Sequence, residues 1–375
     1  MNADHIIMAG NLLDGSGAGV RRRVFLAMQA GCITAIGPVA ELPRLPPGVA
    51  VTDLSHATLL PALVDGSVAL ARSSSLGPAA PPGLADTTPE ARIALLQRHL
   101  GFCLSHGVLG AADGEDATGL VADYQQRMAP SGPIALRTAP HDFLRIGYSA
   151  NIEADAAPDN RLSAGDLYRL LQHRGDKKAV VVANGRQAVA EALAAGCDAI
   201  EQGYAMGEDN LKQMAARGVL WLPALLRAKN ALDGARGGGN ICCRFSQRYV
   251  APGKPVPGAE ALWRQTLSEQ LALLQRAKEL GVTTAVGTGA GSAGIIHGEA
   301  VAEEVKLFIK AGYSLAEAIR CASVNGAAFF GFERLGELAV GRQATFLVTR
   351  GTAGQLPRKL SYLEGIYIDG VAVPL

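Results

Sequence analysis

The chain has 375 residues, long enough for a barrel-sized domain of about 250 residues plus a smaller one. Hydrophobic residues make up 49% and charged residues 18%, which supplies a core and excludes wholesale disorder. With 35 basic and 34 acidic residues the net charge is +1, a balance that argues against nucleic acid or an acidic membrane as the main partner.

The opening Met1-Asn2-Ala3-Asp4-His5 shows no basic region leading into a long apolar run, so no signal peptide is expected. No window approaches 18 uninterrupted apolar residues, so no transmembrane helix is expected either. The six cysteines are scattered without Cys-x-x-Cys spacing and read as reduced thiols of a cytoplasmic protein. Adjacent Cys242 and Cys243 would strain a mutual disulfide and read as an incidental loop pair rather than a redox pair.

In chain order, the first 57 residues read as short strands at 6–8, 24–28, 32–36 and 49–52, separated by Gly, Asn and Pro with hairpin-type turns. The same texture returns at 345–349 and 363–370. Between these ends, apolar runs alternate with amphipathic segments, the sign of βα units. The strand candidates are 59–64, 107–112, 134–139, 144–148, 179–183, 199–202, 219–225 and 283–288. Eight strands with helices between them make a (β/α)8 barrel, whose chemistry sits at the C-terminal ends of the strands. Ser314-Leu315-Ala316-Glu317 is a capping box that opens a helix through Ile319 and Ala322. Two insertions follow the first and seventh strands. One is the Ser/Pro/Ala-rich 73–83; the other is 227–254, with Gly237-Gly238-Gly239, Arg244 and Arg248. They read as plain surface loops, or else as a lid or docking surface over the barrel mouth.

The seven histidines, His5, His56, His99, His106, His141, His173 and His297, show no metal-binding spacing. Only His106, His141 and His297 fall near strand boundaries, and His106 precedes its strand, which points it to the wrong face.

Leu59-Leu60-Pro61-Ala62-Leu63-Val64-Asp65-Gly66-Ser67-Val68-Ala69 resembles the first barrel strand of the amidohydrolase superfamily, roughly L-P-G-L-I-D-x-H-x-H. In that family the two histidines bind the catalytic metal; here they are Ser67 and Ala69. Gly287-Thr288-Gly289-Ala290-Gly291-Ser292 resembles G-T-D-A-G-S, with Gly289 where the metal-linked aspartate belongs. Leu144-Arg145-Ile146 resembles the strand-four segment, with Arg145 at the lysine that can be carbamylated, a role arginine cannot take. Val182 falls at the strand-five histidine, and in Asp198-Ala199-Ile200-Glu201-Gln202-Gly203, which resembles D-x-I-E-H-G, Gln202 replaces the strand-six histidine.

The resemblance covers residues 6–373 and is nearest to the imidazolonepropionase-like and dipeptidase-like branch. It implies a (β/α)8 TIM barrel at 58–336, with a small β-sandwich assembled from 1–57 and 337–375. With its metal ligands replaced, the chain is expected to carry no metal or other cofactor. It is expected to be a catalytically silent homologue that binds a small molecule, an anionic one included, or a partner subunit at the barrel mouth, with a homo-oligomer as a further expectation. The alternative is a hydrolase acting on carbon–nitrogen (non-peptide) bonds, metal-independent or with an unrecognised site.

The residues expected at the mouth are Asp65, Ser67, Asp113, Arg145, Gln202, Gly289 and His297. A buried guanidinium needs a carboxylate or an anionic ligand, and Asp65 and Asp113 are the partners expected for Arg145. Gly287-x-Gly289-x-Gly291 lies where barrels bind phosphate through backbone N–H groups, or else Gly289 only records a lost aspartate. His297 is placed to touch a ligand, or serves as a local cap. A metal-free nucleophilic set of Ser67 with His141 or His297 and Asp113 or Asp65 can be written, but the G-x-S-x-G elbow is absent.

Overall fold

The computed structural model describes residues 3–74, 88–127, 132–149, 162–235, 258–292 and 294–374. Cys242, Cys243 and most of the two insertions lie outside the described residues. None of the described helices is long and apolar enough to cross a membrane.

The chain begins with β1 (His5–Leu12), β2 (Arg21–Gln29), β3 (Cys32–Pro38) and β4 (Ala50–Pro61). The barrel follows as β5 (Leu63–Val68), α1 (Pro89–Ser105), β6 (Val108–Asp113), α2 (Leu120–Arg127), β7 (Ala135–Thr138) and β8 (Leu144–Ser149). It continues through α3 (Ala164–Gln172), β9 (Ala179–Ala183), α4 (Arg186–Ala195), β10 (Ala199–Gln202), α5 (Glu208–Arg217), β11 (Leu220–Leu222), α6 (Leu225–Ala235) and α7 (Ala259–Leu280). Helices α8 (Glu299–Lys310), α9 (Leu315–Cys321) and α10 (Val324–Phe330) close it, and β12 (Phe346–Arg350), β13 (Leu363–Ile368) and β14 (Val371–Val373) end the chain.

Both termini contribute to one seven-stranded sheet in the order β14-β13-β12-β4-β1-β2-β3. Its seam is the antiparallel pairing of β4 with β12, which sets Leu60 opposite Leu347 and Pro61 opposite Phe346. Alternation explains the two-faced packing. In β2, Val24, Leu26 and Met28 point into one cluster with Ile7, Leu59 and Phe346, while Phe25 and Ala27 pack on the other face against Ile6.

The barrel strands pair in parallel as β5-β6-β7 and β8-β9-β10-β11. Residues 283–288, expected as strand eight, form no ladder but bridge the two ends. On the β11 side Trp221 N donates to the Thr283 carbonyl and Ala285 N to the Trp221 carbonyl, and on the β5 side Gly66 N donates to the Val286 carbonyl at 2.9 Å. β9, Ala-Val-Val-Val-Ala, is buried at every position, as a parallel strand covered on both faces must be. The capping box of Ser314 and Glu317 opens α9 as its sequence predicts.

The structure corrects the first barrel strand. The apolar run 59–64 is split, because Pro61 ends β4 within the terminal sheet and β5 starts at Leu63. Proline offers no N–H to continue a ladder, so the chain changes sheets there. As a result β5 extends to Val68 and holds Asp65 and Ser67 inside the strand. A second departure is the link between β7 and β8, a short turn at 139–143 rather than a helix.

Phe346 tests the seam: it is fully buried and its ring stacks on Tyr367 at 4.6 Å. Phe346→Ala is expected to lose about 3–5 kcal/mol in denaturant unfolding. Amide exchange should rise in β2 as well as β12, since the two belong to one sheet; acceleration confined to β12 and β13 would contradict that shared unit.

Candidate functional site

Ser67 and Glu201, near the C-terminal ends of β5 and β10, are met by the side chain of Arg145, the second residue of β8 and not at the strand end where the sequence places it. Arg145 donates from Nε to Glu201 Oε2 at 2.7 Å and from Nη2 to Oε1 at 2.8 Å, a two-point ion pair. Ser67 Oγ donates to the same Oε1 at 2.9 Å. A third carboxylate, Glu115, lies 3.5 Å from Arg145 Nη1 and also pairs with Arg72. The side chains are buried, 3% exposed for Glu201 and 17% for Arg145. Gly114 makes the approach feasible, because a Cβ there would lie 2.0 Å from Arg145 Cδ.

Burial alone would raise the pKa of Glu201, but the charge and hydrogen bonds of Arg145, with the Ser67 hydroxyl, hold it below the ordinary glutamate value. Burial likewise opposes the charge on Arg145, and Glu201, Glu115 and Asp113 together raise its pKa above the ordinary arginine value. The pair is therefore ionised at any working pH.

Asp65 and Asp113 do not serve as the hydrogen-bonding partners of Arg145 that the sequence suggests. Asp65 accepts from the Thr288 hydroxyl, from Thr288 N at 2.9 Å and from Ser67 N at 3.2 Å, tying β5 to the eighth-strand segment. Burial pushes its pKa up to about 7 against those hydrogen bonds. Asp113 accepts from Leu70 N and Glu115 N at 2.7 and 2.8 Å and is pushed by burial to about 6. Short acidic side chains at strand ends find nearby backbone donors, whereas the longer glutamate at 201 can cross to Arg145.

Gln202 lies beside Glu201 with φ +72°, its amide oxygen accepting from Asn184 Nδ2 at 2.8 Å. His297 is withdrawn from the mouth. It is fully buried, its Nε2 lies 3.1 Å from the Ala69 carbonyl, and its ring stacks on His99 at 3.9 Å between centroids. Burial, with His99 beside it, pushes its pKa down to about 3, so the ring is neutral. His141 is exposed and contacts Asp142. The nucleophilic sets written for Ser67 are thus not assembled: its hydroxyl meets Glu201, and Asp65 meets only its backbone N–H.

The glycine-rich turn is likewise not an anion cradle. Gly289 N donates to Ser67 O, Ala290 N to Thr288 Oγ1, Gly291 N to Ile295 O and Ser292 N to Gly289 O. Gly289 instead leaves room among the described residues, where the one heavy atom near an added Cβ is Ser292 Oγ, at 3.9 Å. The mouth is a narrow recess with about 20 Å³ open to water, bordered by Ser67, Glu115, Arg145, Glu201, Gln202, Gly289 and Arg227. A larger cleft, of about 760 Å³, lies under the barrel against the terminal sheet, but the guanidinium of Arg137 in its wall is already bonded to backbone carbonyls.

A catalytic metal of the kind the resemblance implies does not fit this donor set. The six corresponding positions carry Ser67, Ala69, Arg145, Val182, Gln202 and Gly289. The strong donor among their neighbours, Glu201, is already neutralised by a guanidinium. Among the described residues no three His, Cys, Asp or Glu side chains are grouped so as to hold a metal ion. Glu201 and Glu115 escape a reading of the sequence that looks only at ligand positions. The signal for Glu201 is its place in Asp198-Ala199-Ile200-Glu201-Gln202-Gly203, a strand-end carboxylate that requires a cation once buried.

A family model described as the amidohydrolase family matches residues 139–367. No curated protein matches the chain in sequence. Among solved structures, one described as a Xaa-Pro dipeptidase with bound methionine in its active site superposes with a TM-score of 0.81 at 18% identity, over 99% of this chain and 100% of that one. The A. niger ochratoxinase gives 0.76 at 18% identity, over 98% and 95% of the two chains. A putative prolidase from Bifidobacterium longum gives 0.74 at 16% identity, over 98% and 94%.

Two outcomes follow from these geometries. Arg145→Met and Glu201→Gln should each cost about 3–5 kcal/mol of stability, because each leaves a buried group unpaired, and the double variant should recover much of the loss. Simple additivity of the two single losses would contradict the pairing. Glu304 on α8 is fully buried, accepts from Leu226 N at 2.7 Å and is pushed by burial to about 8 from an ordinary 4.5. A carboxyl whose folded pKa is raised favours the fold below about pH 4.5, and that contribution is lost as pH rises through about 8. Glu304→Gln should therefore melt progressively higher relative to wild type across that window, and a pH-independent difference would refute it.

Proposed function

We propose that this chain, which belongs to the amidohydrolase family, binds a small polar molecule at its barrel mouth without metal-dependent hydrolysis. The observation that carries the reading is the buried Arg145–Glu201 pair with Ser67, drawn from three barrel strands at positions where the resemblance places metal chemistry. A metal supplies a Lewis acid and an activated water. Here a fixed organic cation supplies positive charge, but it offers no open coordination position and generates no hydroxide. What the site retains is recognition: a preformed recess at the C-terminal barrel face with few, well-placed polar groups.

A second reading, metal-independent hydrolysis of a carbon–nitrogen bond, is favoured by one contact, the Ser67 hydroxyl donating to Glu201. A nucleophile needs a base whose pKa lies near the working pH. The pairing of Glu201 with Arg145 moves that carboxylate away from this range, toward permanent ionisation.

The two readings separate in one assay. Protein dialysed after expression with added zinc or manganese is analysed for metal and incubated with Xaa-Pro dipeptides and N-acyl amides. Sub-stoichiometric metal and no turnover above the buffer rate are expected. Stoichiometric retained metal with chelator-sensitive turnover would overturn the proposal, and metal-independent turnover abolished by Ser67→Ala would establish the second reading in its place.

A further inference from the structure

The carboxylates on the rim of the recess are all engaged, and one guanidinium is not. Glu201 uses Oε1 for Arg145 and Ser67 and Oε2 for Arg145, and Glu115 is shared between Arg72 and Arg145. Arg227, in the first turn of α6, borders the same recess and is half-buried. Its charge is felt by Glu201; its backbone N–H is bonded to the Ala224 carbonyl, but its guanidinium makes no hydrogen bond or ion pair with another described residue. Ser292 lines the same recess, and its hydroxyl makes no hydrogen bond to another described residue. Gly289 lines it too, and a Cβ there would come within 3.9 Å of Ser292 Oγ.

We infer that Arg227 and Ser292 form the recognition pair for a carboxylate group of a small ligand seated over Gly289. This rests on the ligand-binding reading above and assigns that ligand its chemical class. A guanidinium presents two parallel N–H donors, which match the two oxygens of a carboxylate, and a neighbouring hydroxyl adds a third donor. The same count argues against a phosphate dianion, which in barrels is met by several free backbone N–H groups. The N–H groups from Thr288 to Ser292 are all turned to internal acceptors. The recess is narrow, with about 20 Å³ open to water before it meets solvent, so it takes the carboxylate end of a small molecule and not a folded partner.

The test is a fragment screen by ligand-observed NMR on the intact protein. It uses small carboxylic acids, each matched with its neutral primary amide, together with inorganic phosphate, against wild type, Arg227→Met and Ser292→Ala. Acids are expected to bind and their amides to fail. Arg227→Met should weaken the acids at least tenfold and Ser292→Ala severalfold, while melting temperatures stay near wild type. Acids that bind Arg227→Met unchanged, or amides that bind as well as acids, would overturn the carboxylate assignment and leave the ligand-binding reading standing. Preference for phosphate over every acid would also overturn it. A mouth that takes no acid, amide or phosphate would overturn both.

Discussion

The site depends on a single buried ion pair. Arg145 and Glu201 stand on strands four and six of the barrel, 56 residues apart in sequence, and meet through two hydrogen bonds in a place largely closed to water. Neither charge is tolerable there alone, so each residue fixes the other, and both fix the rotamer of Ser67. Gly114 has to be glycine for the arginine to lie where it does. The remaining polar groups at the mouth arrange themselves around this pair, and the spare positive charge of Arg227 stands out because every nearby carboxylate is already engaged.

The buried acids have become architectural. Asp65 draws three hydrogen bonds, two of them from Thr288, and so fastens the first barrel strand to the eighth, where no ladder does the work. Asp113 holds Leu70 and Glu115 in the loops above the barrel. In both cases burial raises the pKa and hydrogen bonding lowers it, a balance that leaves the groups near neutrality without aiming them at the recess. His297 and His99 show the same withdrawal: stacked and bonded to the carbonyls of Ala69 and Leu70, they prop the chain after β5.

Much of the barrel was legible because its strands are fully buried and read as unbroken apolar runs, so 179–183 and 199–202 coincide with β9 and β10. The run at 59–64 misled for a physical reason. Apolar character continues across Pro61, while hydrogen bonding cannot, and only the pairing partners show that two sheets meet there. At the site, the need of Arg145 for a carboxylate followed from charge and burial, but its identity did not. Aspartates 65 and 113 lie on neighbouring barrel strands and are equally eligible in sequence, and the choice of Glu201 depends on side-chain length and inter-strand register that no local pattern records. The role of His297 was misjudged because a loop histidine looks available until the helix bearing His99 is packed over it.

The seam between β4 and β12 joins residues such as Thr58 and Thr349, which are 291 positions apart. During synthesis, β4 leaves the ribosome long before its partner exists, and the whole barrel is made in between. The N-terminal strands must therefore wait with one flank of β4 unpaired, a template for association with any other extended chain. The barrel can assemble from neighbouring βα units as they emerge, whereas the terminal sheet is completed only once β12 and β13 have been made, so in a crowded cell the rate of translation sets how long that edge stays open.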